Sequence, residues 1–109
     1  MSESSITKSI GELLDARDAW WIKTHGSGYG RNGVPDIVGV YRGTAIAFEI
    51  KDGNGRVAKL QEHELSLFGA AGGRASVVRS RSDAQRILDA VDYELDCYQP
   101  PFGVKRATG

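Results

Sequence analysis

The chain has one cysteine, Cys97, so no disulfide can close within it, and a reducing, cytoplasmic setting is expected. No apolar run approaches the ~20 residues that span a bilayer, which argues against a membrane partner. The opening Met1-Ser-Glu-Ser-Ser has neither the basic nor the apolar region of a signal peptide. Net charge is lacking as well: 14 Lys and Arg offset 14 Asp and Glu, which on its face argues against a nucleic-acid partner. What remains is an ordinary globular composition, 40% apolar and 26% charged. At 109 residues it suits one core burying roughly two-thirds of the unfolded surface.

The charge distribution is less even than its sum. Asp89, Asp92, Glu94 and Asp96 crowd the C-terminal part, whereas Arg74, Arg79, Arg81 and Arg86 face Asp83 alone in the segment before it. If the late acidic segment turns away from a functional site, the remainder is basic enough to meet phosphate.

Periodicity organises the chain. Ile6, Ile10, Leu13 and Leu14 recur at helical spacing over 3–18, with Ser2, Ser4 or Ser5 as caps and Glu3 in the first turn. Residues 19–25 read as a strand, and 26–33, with four glycines, as a mobile loop. Strands over about 35–42 and 44–51 meet at Arg42-Gly43. A second helix over 58–71 would turn Leu60, Leu67, Phe68 and Ala71 inward and end at Gly72-Gly73. A strand over 74–80 follows, then a helix opened by a Ser82-x-x-Gln85 capping box, with Ile87, Leu88, Val91 and Leu95 inward. One domain over 1–97 and an irregular tail over 98–109 result, in the order αβββαβα.

Chemistry concentrates at Val34-Pro35-Asp36 and, thirteen residues after the aspartate, Glu49-Ile50-Lys51. If Arg42-Gly43 is a two-residue turn, paired residue numbers sum to 85 and Asp36 faces Glu49, whereas a bulge at Gly43 would shift the register by one. Directly opposed carboxylates repel, and a purely structural hairpin has no reason to keep them. A bound cation reverses the sign. Carboxylates are the ligands a hydrated divalent ion takes from a protein. A neighbouring lysine can orient or deprotonate water and offset charge on a phosphate, as metal-dependent phosphodiester cleavage needs. The period of two places Lys51 on the face of Glu49 whatever the register.

These residues, in this order of elements, resemble the PD-(D/E)XK nuclease superfamily, and within it the stand-alone, phage-type VRR-NUC domains, which are similar to Holliday-junction resolvases. The likeness runs over about residues 2–92. It is carried by Glu3-Ser-x-Ile-x-Lys-x-Ile10, Lys23-Thr-His-Gly-Ser-Gly-Tyr-Gly-Arg31, Gly33-Val-Pro-Asp-Ile-Val-Gly39, Gly43, Phe48-Glu-Ile-Lys51, Gln61 and Ala71-Gly-Gly with Val77-Val78. It implies a restriction-endonuclease-like α/β core, a mixed sheet flanked by helices. Asp36 and Glu49 would ligate Mg²⁺ or Mn²⁺ with support from Glu3. Lys51 would act on water or phosphate, and Gln61 would orient site groups. Ser27 and Arg31 fall in the loop that contacts the scissile backbone in the resolvases.

His25 and Tyr29 join Ser27 and Arg31 as candidate DNA contacts, the aromatic ring by stacking. Trp20 and Trp21 are consecutive in a strand and must point to opposite faces, so one is left for a partner, and a homodimer is expected. The function expected is metal-dependent endonucleolytic cleavage of branched DNA, four-way junctions first. The alternatives are flaps, nicked or plain duplex as substrate, or a catalytically silent DNA-binding module.

Overall fold

Ser2 opens the fold by capping its first helix, its hydroxyl accepting the Ser5 N–H at 3.1 Å. The computed structural model describes residues 2–24 and 32–97. These form α1 (Glu3–Ala16), β1 (Trp20–Lys23), β2 (Ile37–Tyr41), β3 (Thr44–Ile50), α2 (Lys59–Ala70), β4 (Arg74–Val78) and α3 (Arg81–Cys97), the expected order. The tail over 98–109 and most of the glycine loop lie outside the described residues. So do His25, Ser27, Tyr29 and Arg31, the four candidate DNA contacts.

One sheet runs β1-β2-β3-β4, antiparallel except for the parallel β3–β4 pair that the α2 crossover makes possible. The β2–β3 register pairs Tyr41 with Thr44 and Ile37 with Phe48, so every pair sums to 85. Arg42 and Gly43 form the turn with φ of 49° and 81°, the conformation a two-residue hairpin demands. A non-glycine residue there costs roughly 1–2 kcal/mol. Arg42 is held by its guanidinium, which reaches Asp92 and Asp96 on α3, each at 2.9 Å.

Alternation along the strands divides the sheet's two faces. Ile37, Tyr41, Ile46, Phe48, Ile50 and Val78 meet Ile6, Ile10, Leu13 and Leu14 of α1 and Ala84, Leu88 and Val91 of α3 in one core. Burying a side chain such as Phe48 contributes about 1.5–3 kcal/mol. Trp21 locks α1 against this face. A Cβ on Gly11 would stand 2.7 Å from its ring, and one on Gly39 2.9 Å from its Cβ. Its indole N–H donates to Asp15 at 2.7 Å.

The opposite face carries α2, which is rotated by about one residue from the expected orientation. Leu60 and Leu67 are exposed, Ala71 is exposed, Phe68 is half-buried, and Glu64 is the helix's buried residue. The inward stripe is therefore Gln61, Glu64 and Phe68, at i, i+3 and i+7. Gln61 sets that rotation by bonding to a sheet residue. The cap of α3 also differs: Ser80, not Ser82, accepts the Asp83 N–H, while the Asp83 carboxylate accepts the Arg79 N–H. On α3, Leu88 and Val91 are buried, and Ile87 and Leu95 pack against the core.

Candidate metal and phosphate site

The site lies at the end of the sheet opposite the Arg42–Gly43 turn. Asp36 immediately precedes β2, and its carbonyl extends the β1–β2 ladder by accepting the Thr24 N–H at 2.9 Å. One more step of the β2–β3 register sets Asp36 against Glu49. Asp36 Oδ2 accepts the backbone N–H of Ile50 at 2.7 Å, which fixes the carboxylate across the end of β3. Both acids are buried, Asp36 8% and Glu49 2% exposed.

Glu49 has an incomplete set of partners. Its Oε2 accepts from Gln61 Nε2 at 3.1 Å, and Lys51 Nζ lies 3.7 Å from the same oxygen. Its Oε1 is buried with no hydrogen-bond partner. A carboxylate cannot donate to another carboxylate, so with both acids ionised that oxygen has no donor, whereas one proton shared with Asp36 supplies it. Burial first, then the hydrogen bond to Asp36 and its charge, push the Glu49 carboxyl up to about 8. Lys51 opposes that rise, and the charge of Glu3 adds to it.

Gln61 serves the helix and the site together. Its Oε1 accepts the Ala58 N–H at 2.9 Å at the N-terminus of α2, which leaves Nε2 directed at Glu49. An alanine at the cap position supplies no side-chain acceptor, so this reach-back is the helix's side-chain cap.

Asp36, Glu49, Lys51 and Gln61 thus come together. Glu3 does so less closely: it is exposed and shares with Asp36 a groove between α1 and β1. Among the described residues, no three His, Cys, Asp or Glu side chains gather as a metal-holding set. The donors that fit a cation are the opposed pair, two hard oxygen ligand groups with one buried lone-pair site unmet. The burial of Glu64 on α2 was not expected from the sequence; the signal was its place three residues after Gln61, on the same helical stripe.

The arginines expected to meet phosphate are instead engaged by the protein. Arg74 pairs with Glu94 and Arg86 with Asp83. Arg79 Nη1 donates to the carbonyls of Asp52, Gly53 and Gly55, and Arg81 Nη1 to that of Ser9. At the far end Asp92 accepts from Tyr41 at 2.8 Å and from Arg42 and Arg17. Arg42 and Tyr41 hold its carboxyl below the usual range. The acidic stretch of α3 does turn away from the site, but it takes Arg17, Arg42 and Arg74 with it.

Solved structures share this fold. One, a VRR_NUC domain, is similar with a TM-score of 0.68 and 24% identity, over 82% of this chain and 97% of its own. Another, a VRR_NUC domain protein, is similar with a TM-score of 0.64 and 16% identity, over 91% of this chain and 92% of its own. No protein-family model matches the sequence, and no curated protein matches it. The chain has the fold of these VRR_NUC domains, a mixed sheet flanked by helices.

Proposed function

We propose that this chain is a metal-dependent nuclease that hydrolyses phosphodiester bonds in DNA. The observation that carries the reading is the buried Asp36–Glu49 pair, with one Glu49 oxygen lacking a donor and the Lys51 ammonium beside the other. A fold has little to gain from two opposed buried acids unless something positive is placed between them. Asp36 and Glu49 would hold Mg²⁺ or Mn²⁺, with Glu3 in the groove that Asp36 also lines. Such an ion would supply Lewis acidity toward a phosphoryl oxygen and lower the pKa of bound water.

The chain's own groups do the rest. The Ile50 N–H and Gln61 amide fix the two carboxylates before substrate arrives, so no reorganisation is required in the transition state. Lys51 is held near the site by Glu49; as the ammonium it would offset charge on the phosphate, and only after losing a proton could it take one from water. Glu49 and Lys51 sit two apart on one strand, so their spacing is set by the backbone and not by loop conformation.

The proposed substrate is branched DNA, with the four-way junction first, cut by a homodimer. Two strands related by a two-fold axis call for two sites, and a C2 dimer supplies them. An apolar strip supports the dimer: Trp20 is 62% exposed on the edge strand β1, beside exposed Ile22 and Val40. An antiparallel edge of this kind can pair with a second copy of itself. The test is incubation with labelled four-way junction and linear duplex of the same sequence. Paired symmetric nicks and a preference for the junction are expected; equal cutting of both would leave a nuclease on plain duplex.

A further inference from the structure

Among the described residues, four cations have no hydrogen-bond or ion-pair partner: Lys8, Lys23, Arg56 and Lys59. All other described lysines and arginines are engaged by carboxylates or carbonyls. The four fall into two pairs, Lys8 and Lys23 on α1 and β1, and Arg56 and Lys59 just before and at the start of α2. Lys8 on α1 and Lys23 at the end of β1 line the groove of about 760 Å³ that opens onto Asp36. Arg56 and Lys59 lie beyond Lys51, in the segment leading into α2, and both are exposed.

Each pair is presented by a fixed support. On the groove side, Trp21 is clamped by Gly11, Gly39 and Asp15, which sets the separation of α1 from β1. Of the groove's carboxylates, Asp15 is bonded to the indole and Glu3 and Asp36 stand at the site end, leaving Glu12 against the two lysines. On the other side, Arg79 holds the carbonyls of Asp52, Gly53 and Gly55, so the segment carrying Arg56 is tied to the end of β4. Lys59 opens α2, where the helix dipole adds to its charge instead of offsetting it.

We propose that Lys8 and Lys23 on one side, and Arg56 and Lys59 on the other, form a phosphate track that leads one nucleic-acid strand across the Asp36–Glu49 site. The proposal rests on the nuclease reading and specifies where its substrate lies. Arg86, with a side chain 71% exposed, contributes nothing to the track, because its charge is already neutralised by Asp83.

The test is DNA affinity against salt for the full chain in EDTA, where binding is read without cleavage. Each neutralised duplex phosphate adds about 0.9 to the magnitude of the log–log slope. Lys8→Ala with Lys23→Ala should lower that magnitude by about two, and Arg56→Ala with Lys59→Ala by a similar amount. Arg86→Ala should leave it unchanged, and thermal unfolding would show that each variant is folded. A slope that both double variants leave intact would overturn the track while leaving the nuclease reading standing. Failure of the unaltered chain to bind DNA even at low salt would overturn both.

Discussion

Asp36 and Glu49 stand directly opposed one step beyond the Ile37–Phe48 pair, and the residue after Glu49 donates its N–H to the Asp36 carboxylate at 2.7 Å. The hairpin therefore aligns two acids and also fixes the orientation of one of them. Neither function requires a loop.

The first prediction concerns proton linkage. The folded-state pKa of Glu49 is raised from 4.5 to about 8, so in metal-free protein the fold favours the protonated acid. That contribution is fully present below the unfolded value and is lost as pH rises through the folded one, because the unfolded chain then binds fewer protons. Stability in EDTA should fall between about pH 4.5 and 8, by an amount on the order of a few kcal/mol. Denaturant unfolding across that range, with and without Mg²⁺, would show it. A flat profile in EDTA would count against the buried acid pair.

The second separates charge from shape. Glu49→Gln keeps the acceptor for Gln61 and adds an N–H that can reach Asp36, imitating the protonated acid without titrating. It should abolish cleavage and raise metal-free stability at pH 8 by about 1–3 kcal/mol. Asp36→Asn retains an acceptor for the Ile50 N–H and should also be folded and inactive. Thermal unfolding and cleavage assays on the same preparations are the check.

The third uses the two roles of Gln61. Gln61→Ala removes the side-chain cap of α2 and the bond to Glu49, and should destabilise by about 1 kcal/mol. Gln61→Glu keeps an acceptor for the Ala58 N–H but sets another carboxylate against Glu49. Helix content should then be preserved while cleavage falls. Equal loss of helix in both variants would reduce Gln61 to a cap.

Much of the fold was legible because it rests on period and turn chemistry. Arg42-Gly43 fixes the β2–β3 register, and with it the opposition of Asp36 and Glu49. The apolar residues of α1 recur at 3.6 and meet the core as that spacing requires. The rotation of α2 was not legible, because a polar bond from Gln61 to Glu49 overrides the leucines, which stay half exposed on its flank. The engagement of the arginines was not legible either. A charge count cannot show that Arg79 is occupied by three carbonyls or Arg74 by Glu94.

The fourth prediction addresses assembly. Trp20→Ser changes an exposed side chain and should alter monomer stability by no more than about 0.5 kcal/mol. It should nevertheless shift a dimer toward monomer, read by light scattering at micromolar concentration. An unaltered chain that is already monomeric there would remove the Trp20 strip as an interface.

Metal-dependent cleavage tests the Asp36–Glu49 site most directly. Labelled DNA is incubated with the unaltered chain, Asp36→Asn and Glu49→Gln, each in Mg²⁺ and in EDTA. Cleavage by the unaltered chain in Mg²⁺ alone, and by neither variant, is predicted. Cleavage that persists in EDTA, or substantial Mg²⁺-dependent cleavage by either variant, would contradict the assignment of Asp36 and Glu49 as the centre of the site.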